Sequence, residues 1–462
     1  MNGEILLVGS VPLASAEEVL ATSARYLGDC VGGLPDGEFG PRSSWVGYLA
    51  KEIYARHPDI ETLQVLDPSR PTSLRDTSNV WSFRIRPGVS DLRIDTRYAD
   101  IASLIQNDRL SSNRIRAHAS RMPGEAKEHF RPFFSAVSSW MLMIDPPDHT
   151  RLRGLVNKAF TPAVVENMRS LIEKVVDDKL ARVKANGRMD VMSDFANPLP
   201  AIVIAEMLGV PATDQQQFKE WSDDIAMGLG GLDSARSKEE LFALYDLAQK
   251  SFLLLATYFR EKVAELRLKP RDNLLSALIQ AEERGDRLTE HELLANCVLL
   301  MIAGHETTTN LIGNGVLALL RHPDQREILA RNPDSIVPAV EELLRYDSPV
   351  QKMARIALTD IDVNGQQIKQ GQLVCFSFAA GNRDPEQFAA PARLDIARKP
   401  NRHLAFGHGL HYCVGAALAR LEGQIAINNI LKQLPELRLG SEDLEWNRNL
   451  TLRGLKSLPV TF

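Results

Sequence analysis

One cysteine of the chain stands where it could serve chemistry rather than packing. The stretch from Phe406 to Arg420 reads FGHGLHYCVGAALAR and delivers Cys413 to the start of a helix with apolar periodicity. The positive end of a helix and its unpaired N–H groups stabilise a thiolate at such a position. Gly409 and Gly415 let the backbone approach a flat, bulky group, against which Phe406 can pack. Thiolate ligation of a haem iron suits this arrangement, and a buried structural cysteine in a glycine-rich turn is the alternative.

A second stretch places polar residues in the middle of a long helical pattern. The pattern starts at a T-x-x-E capping box, Thr289 to Glu292, and runs to about Arg321. Glycine and an acid–threonine pair in mid-helix disfavour helix formation, and such unfavourable local choices usually mark a functional site. We expect Gly304 to open room for a small ligand above a cofactor, with Glu306 and Thr307 organising a water chain for proton delivery. A solvent-facing polar patch is the alternative.

Charged residues in other parts of the chain could support that site. Glu342 and Arg345 are three residues apart on a predicted short helix and can pair, although pairs of this kind are common on surfaces. The two propionates of a haem would need charged donors around them. The candidates for that role are dispersed: His149, Arg153, Arg355 and His403. Each of the four is most simply a surface or capping residue.

These residues require a mostly helical scaffold to position them. Alternating patterns predict two strands, Val80 to Ile85 and Leu92 to Thr96, and a strand-rich stretch returns between Arg355 and Phe378. Helical patterns dominate from Tyr98 onward, and the last helix runs from about Gly415 to Leu434. The predicted fold class is mainly α with minor β.

Composition excludes several classes of function. The 462 residues include 54 basic and 59 acidic side chains, a net charge of −5, which gives no field for holding nucleic acid. Four cysteines lie far apart, so a disulfide framework or structural zinc site is not expected. The N-terminus lacks the basic run of a signal peptide. The longest uncharged apolar-rich run, Leu293 to Gly304, is shorter than the ~20 residues of a membrane helix, and we expect a cytoplasmic protein without a membrane partner.

Four ordered motifs, spread over roughly Val80 to Phe462, together resemble the cytochrome P450 superfamily of soluble bacterial type. Phe406-x-x-Gly409-x-x-x-Cys413-x-Gly415 matches the haem-ligand signature at every fixed position, and Ala303 to Thr308, AGHETT, matches the oxygen-activating helix. Glu342-x-x-Arg345 matches the family's ion pair, and Arg393 resembles its partner region. The resemblance implies a triangular, helix-rich prism with a long central helix over the haem and small β-sheets.

The resemblance also implies roles for individual residues. Cys413 would be the proximal ligand of the iron, and Glu306 and Thr307 would handle the protonation of dioxygen. Glu342 and Arg345 would brace the core. A further set would bind haem b, iron protoporphyrin IX: His149, Arg153, Ala303, Gly304, Arg355, His403, Phe406, Gly407, His411 and Gly415. Glu306 stands where many members carry aspartate, and Ala417 where proline is common; neither departure alters the assignment.

The front of the chain resembles a different family. Leu7 to Leu13 and Leu34 to Trp45 are similar to the start of barrels related to cobalamin-independent methionine synthase. A full barrel needs ~250 residues, so at most a fragment is present. We therefore expect an N-terminal extension over residues 1–78, which partly supplies the first helix of the fold, followed by a haem domain over residues 79–462.

The function that follows is a haem-thiolate monooxygenase that inserts one atom of dioxygen into a lipophilic small molecule. The resemblance implies electrons that come ultimately from NAD(P)H through a separate ferredoxin or flavodoxin and its reductase. One alternative is a peroxide-driven haem-thiolate peroxygenase, a class that tends to replace the groups at Glu306 and Thr307. The other is a haem-binding or sensing protein without turnover.

Overall fold

The structure of the chain is a computed structural model. It describes residues 7–8, 65–66, 80–83, 92–95, 97–120, 122–234, 238–271, 273–283, 288–363, 366–447, 449 and 451–462. Two compact units are present. The first comprises Met1–Ser111, Lys352–Arg393 and His408–Leu410, and the second comprises Ser112–Gln351, Leu394–Gly407 and His411–Phe462.

The predicted N-terminal extension lies outside the described residues, apart from two short strands that pair in parallel, β1 (Leu7–Val8) and β2 (Val65–Leu66). The barrel-like segments therefore stay a prediction, and so does the boundary between residues 78 and 79.

Strands make up the smaller part of the structure. In chain order the remaining strands are β3 (Val80–Phe83), β4 (Leu92–Asp95), β5 (Leu110–Ser111), β6 (Arg188–Asp190), β7 (Lys352–Ala357), β8 (Ile361–Val363), β9 (Gln366–Ile368), β10 (Leu373–Ser377), β11 (Arg438–Leu439) and β12 (Pro459–Thr461). The first unit holds a five-stranded sheet in the order β3-β4-β10-β7-β5 and the separate pair β8-β9. The second unit holds a three-stranded sheet in the order β11-β12-β6.

The register of the larger sheet confirms the strand pattern in the sequence. β3 and β4 are antiparallel, with Val80 opposite Asp95. β10 pairs in parallel with β4 and antiparallel with β7, where Val374 lies opposite Arg355. Arg355 therefore sits on a strand that has a neighbour on each side.

Helices form most of the second unit, which confirms the predicted fold class. In chain order the helices are α1 (Tyr98–Leu104), α2 (Arg114–Ser120), α3 (Gly124–His129), α4 (Arg131–Ser138), α5 (Asp148–Ala159), α6 (Pro162–Asn167), α7 (Arg169–Lys184), α8 (Pro198–Met207), α9 (Gln215–Ser234), α10 (Lys238–Leu268), α11 (Leu274–Glu283), α12 (Glu290–Arg321), α13 (Pro323–Arg331), α14 (Ile336–Tyr346), α15 (Phe378–Gly381) and α16 (Ala416–Gln433). A π-helical turn covers Val191–Ala196. Within the described part of the chain, no helix is both long and apolar enough to cross a membrane.

The long helix α12 runs through the core of the second unit. It has 32 residues, about 48 Å at 1.5 Å per residue. Its N-terminus carries the predicted capping box, in which the Glu292 amide donates to Thr289 Oγ1 and the Thr289 amide donates to Glu292 Oε2. Helices α8, α9, α14 and α16 all pack against it. Because so many elements share this helix, its few polar positions have fixed surroundings.

A buried carboxylate on α14 fixes the segment 395–401, which precedes the loop that leads into α16. Glu342 is fully buried and accepts hydrogen bonds from Arg345, at 2.7 and 2.8 Å, and from Arg398, at 3.1 Å. The Asp395 amide and the Asn401 side chain also donate to it, at 2.9 and 3.2 Å. A buried charge that receives this many donors is compensated. The segment 395–401 is therefore fixed to α14.

This network corrects one expectation from the sequence. The cation that completes the Glu342–Arg345 pair is Arg398, whose side chain is 8% exposed. Arg393, which the motif comparison suggested, is exposed. The two arginines are five residues apart, and only the path of the loop decides which of them turns inward.

Replacing this carboxylate tests its structural role. We expect Glu342→Gln to lower the free energy of unfolding by about 3–5 kcal/mol, because two buried guanidinium groups would then face a neutral amide. Denaturant titration followed by circular dichroism measures the change. Glu327→Gln is the matched control, since Glu327 pairs with Arg331 where their side chains are 61% and 77% exposed, and it should cost less than about 1 kcal/mol. Equal effects in the two variants would contradict the role given to Glu342.

Candidate functional site

The loop before α16 is shaped by glycines and by one closing hydrogen bond. Gly407 and Gly409 have φ values of 72° and 70°, a region that side chains with a Cβ rarely adopt. A Cβ at Gly409 would also lie 2.8 Å from the Gln106 side chain. The Cys413 amide donates to the Phe406 carbonyl at 2.9 Å. This bond folds the loop back on itself and holds Cys413 at the entrance to the helix.

Cys413 is accessible, although protein atoms surround it. Its side chain is exposed, yet burial raises the pKa of its thiol. The two observations agree if the sulfur opens onto a hollow enclosed by protein rather than onto bulk solvent. The Gly415 amide and the charges of Arg153 and Arg420 act in the opposite direction and lower this pKa. These are the groups that would stabilise a thiolate.

The other described cysteines lack these features. Cys297 is buried on α12, where burial raises the pKa of its thiol to about 12. Cys375 is buried on β10. The structure thus separates Cys413 from both, as the glycine spacing predicts.

Helix α12 has a single opening in its buried stretch. Between Leu293 and Leu319 every residue is buried except Ala303, Gly304, Glu306 and Thr307. Ala303 is exposed, and Thr307 lies on the same face because it is four residues further along. An exposed alanine in the middle of a core helix means that space lies beside it. The opening coincides with the residues that the sequence motif singles out.

Gly304 serves helix packing on the side where a Cβ would lie. A Cβ added there would come within 3.3 Å of Ile204 Cγ1 on α8. The absent side chain of Gly304 therefore makes room for Ile204 and not, as expected, for a ligand above a cofactor. The exposed face next to it belongs to Ala303.

Glu306 and Thr307 differ in how they are held. The Thr307 hydroxyl donates to the Ala303 carbonyl at 2.7 Å, one turn earlier. Burial and, to a smaller extent, the negative charge of Asp223 raise the pKa of the Glu306 carboxyl, Lys219 lowers it, and the net result is a pKa of about 7. A carboxyl with a pKa near neutrality can both hold and release a proton at physiological pH.

Three of the predicted cofactor residues meet on the Cys413 side of the second unit. The rings of His149 and His411 lie 4.1 Å apart between centroids. His411 Nε2 is 2.9 Å from Ser112 Oγ, a partner that no sequence pattern indicated. Arg153 follows His149 by one turn of α5, and burial lowers the pKa of its guanidinium while the Cys413 thiolate would raise it.

The other two predicted propionate donors, Arg355 and His403, lie in different surroundings. Arg355 is buried on β7, in the first unit, and its Nη1 donates to the Ala354 carbonyl at 3.0 Å. His403 lies in the second unit, and its side chain is 3% exposed, with Nε2 at 3.2 Å from Glu341 Oε2 and with Nδ1 accepting from the Ala405 amide at 3.2 Å. The imidazole of His403 is thus oriented by the loop and by α14.

Sequence reasoning missed a second carboxylate network beside the loop. Arg420 on α16 donates twice to Glu341, at 2.7 and 2.8 Å, and its guanidinium lies 4.4 Å from the centre of the Phe406 ring. Arg420 also donates to Tyr412 at 3.2 Å. Burial would raise the pKa of Glu341, but hydrogen bonds from Arg420 and His403 lower it to about 2. The available signal was the doubled acid at 341–342, of which only the second member was interpreted.

These residues fit the haem that the resemblance implies. An accessible sulfur lies at a helix start with an amide and two cations near it, and the one exposed face of α12 presents a small residue. Thiolate is the haem ligand that favours O–O cleavage. The residues of the second unit that would hold the group are Cys413, Ala303, Phe406, Gly407 and Gly415.

Comparison with known proteins agrees with this assignment. A family model described as cytochrome P450 matches residues 137–438. Cytochrome P450 CYP107DY1 of Priestia megaterium is 42% identical over 383 residues, which cover 81% of this chain and 90% of that protein. The polyketide biosynthesis cytochrome P450 PksS of Bacillus subtilis is 41% identical over 372 residues, 79% of this chain and 88% of that protein.

Solved structures give the same result for the fold. The crystal structure of P450BioI in complex with a hexadec-9Z-enoic acid ligated acyl carrier protein has a TM-score of 0.74 and 38% identity, and covers 84% of this chain and 97% of that one. Enzymes of this kind in bacteria use haem b and take electrons from NAD(P)H through redox partners. From the family match and from relatives of this identity, the chain belongs to the cytochrome P450 family as a haem b monooxygenase.

Proposed function

We propose that this monooxygenase oxidises a lipophilic small molecule, with electrons delivered one at a time by a ferredoxin- or flavodoxin-type protein. The observation that carries the proposal is the single opening of α12, where an exposed alanine stands beside an acid with a pKa of about 7 and a threonine. Among the relatives, one is described as acting in polyketide biosynthesis and one was crystallised with a fatty-acyl carrier protein. Both descriptions support an apolar, extended substrate.

When bound, the haem supplies the activation of dioxygen and the insertion of oxygen. The chain's own residues would then have three tasks. Cys413 provides the thiolate, which the Gly415 amide and the charges of Arg153 and Arg420 stabilise. The buried residues of α12 on both sides of Ala303 would limit the access of bulk water to the opening. Glu306 holds a proton near neutral pH and can release it.

Thr307 has the task of placing that proton. Its hydroxyl donates to the Ala303 carbonyl at 2.7 Å, so the oxygen lone pairs face away from that bond and can accept a hydrogen bond from a neighbouring proton donor. A peroxide-driven enzyme would not need this pair, and neither would a haem-binding protein without turnover. The presence of Glu306 and Thr307 at the opening therefore favours a dioxygen-using enzyme over both alternatives.

The propionates of the haem need cationic or N–H donors, and we assign that role to His149, Arg153, Arg355, His403 and His411. Two of these, His149 and His411, are in ring contact, and Arg153 acts electrostatically on Cys413. Charge-assisted hydrogen bonds of this kind contribute about 1.5–3 kcal/mol each.

Substitution of Cys413 tests the ligand assignment. The ferrous carbonyl complex of the wild type should absorb far to the red of histidine-ligated haem, and Cys413→Ser should lose this band because the thiolate is gone. Cys297→Ser is the control, since that thiol is buried and its pKa is about 12. Retention of the red-shifted band in Cys413→Ser would refute the assignment.

Removing propionate donors should weaken haem retention. We expect Arg355→Ala and His403→Ala to lose haem to excess apomyoglobin faster than the wild type, with about 1.5–3 kcal/mol of binding free energy lost per residue. Arg355→Lys, which keeps the charge, should lose less. Arg331→Ala, at an exposed position, is the control, and an equal rate of haem loss in all of these proteins would remove both residues from the haem site.

Substitution of Thr307 tests the oxidative function itself. The enzyme is reconstituted with a [2Fe–2S] ferredoxin, its reductase and an apolar compound chosen because it shifts the Soret band. Thr307→Ala should bind the compound and take up electrons as the wild type does, but most reducing equivalents should appear as hydrogen peroxide, because the hydroxyl no longer places the proton. Thr307→Ser should restore product formation. Wild-type ratios of product to reductant in Thr307→Ala would show that protons arrive by another route.

A further inference from the structure

A buried histidine lies next to the catalytic acid and has one nitrogen without a hydrogen bond. The side chain of His305 on α12 is 3% exposed. Its Nε2 lies 3.2 Å from the Asn197 carbonyl oxygen, and because a carbonyl only accepts, Nε2 must carry the proton. In the neutral ring Nδ1 is then a bare acceptor, and it has no hydrogen-bond partner among the described residues.

The group that faces this bare nitrogen is also an acceptor. Asp223 Oδ1, on α9, lies 3.6 Å from His305 Nδ1. Two acceptors face one another at that distance, and a single proton between them would turn repulsion into a charge-assisted hydrogen bond. The neighbourhood is buried on the histidine side, where such a bond is strengthened by the low dielectric. The geometry therefore provides a place for one extra proton.

Asp223 also connects this place with solvent. Its side chain is 42% exposed, and its Oδ2 accepts from Lys219 Nζ at 2.6 Å, one turn earlier on α9. One carboxylate oxygen thus faces the surface cation and the other faces the buried imidazole. Asp223 stands at the boundary between the two environments.

The same two residues of α9 act on Glu306. The charged groups among the described residues that influence Glu306 are Asp223, which raises the pKa of its carboxyl, and Lys219, which lowers it. Burial is the larger cause, and the pKa is about 7. The ion pair on α9 therefore modulates how readily Glu306 accepts a proton, and Glu306 follows His305 directly in α12.

We propose that Asp223 and His305 form a proton-loading pair that takes protons from solvent and supplies them to Glu306. The proposal rests on the proposed role of Glu306. A proton from water binds first to the exposed carboxylate of Asp223 and passes from Oδ1 to Nδ1 of His305, which makes an imidazolium paired with the Asp223 carboxylate. Because burial lowers the pKa of this imidazole, the ring gives the proton up readily. The proton then moves back to Asp223 Oδ1 and from there to the carboxylate of Glu306. His305 returns to the neutral ring, no electrons move, and the net change is one proton carried from solvent to Glu306.

Infrared titration of the substrate-free haem enzyme tests the electrostatic part without turnover. The carbonyl band of protonated Glu306 is assigned by its loss in Glu306→Gln and followed against pH. We expect the midpoint to fall in Asp223→Asn, because a negative charge is removed, and to rise in Lys219→Met, because a positive charge is removed, each by roughly one unit. Glu220→Gln is the control. It removes an exposed acid from the next position of α9, and it should leave the midpoint in place.

Solvent isotope effects test the transfer itself. In the reconstituted enzyme, Asp223→Asn and His305→Gln should raise the effect of D2O on product formation at least twofold, because proton supply becomes the slow step. His305→Gln keeps a donor for the Asn197 carbonyl, so a purely structural role of the imidazole would leave the isotope effect unchanged. Glu220→Gln should behave as the wild type.

The outcomes separate the pair from the proposed function. Opposite midpoint shifts together with raised isotope effects support the pair. Unchanged midpoints or unchanged isotope effects in the α9 and His305 variants overturn it, even if Glu306→Gln loses coupling and thereby supports the role of Glu306. Wild-type coupling in Glu306→Gln would overturn both the role of Glu306 and the relay that leads to it.

Discussion

Two adjacent carboxylates on α14 hold the loop before α16 in its shape. Glu342 is fully buried and carries a charge that must be compensated where no water can reach it. Its donors come from α14 itself and from the segment 395–401, which leads directly into the loop before α16. Glu341, one residue earlier, faces the other way and binds Arg420 and His403. Neighbouring residues of one helix thus fix the chain on both sides of Phe406.

Helix α12 has two roles, because it packs in the core of the second unit and also carries residues of the candidate site. Its apolar residues pack against several other helices, among them α8, α9, α10, α14 and α16, and this burial sustains glycine and threonine positions that would weaken an isolated helix. Between Leu293 and Leu319 the positions that are not buried are confined to one opening, at 303–307. The neighbours then set their chemistry, since α8 fills the space at Gly304 and α9 supplies the charges around Glu306.

Local sequence patterns predicted the structural features that depend on residues close together in the chain. The capping box fixed the start of α12 within a residue, alternation predicted the β3–β4 pair, and glycine spacing separated Cys413 from the other described cysteines. Contacts between distant segments could not be read in this way. Arg398 rather than Arg393 reaches Glu342, and Glu341 meets Arg420 across 79 residues of chain. Asp223 lies in an ordinary amphipathic helix, and only folding brings it to His305.

Glu341 beside the loop before α16 and Glu306 on α12 respond differently to pH. Because the pKa of Glu341 is about 2, the carboxylate that orients Arg420, and through it Phe406, stays ionised at every pH at which the protein works. The hydrogen bonds beside Cys413 that depend on Glu341 are therefore insensitive to pH. On the opposite side Glu306 changes its charge near neutrality. A change of pH around 7 therefore alters the charge of Glu306 while Glu341 stays ionised and keeps Arg420 and Phe406 in place, so acidity acts on the α12 side alone.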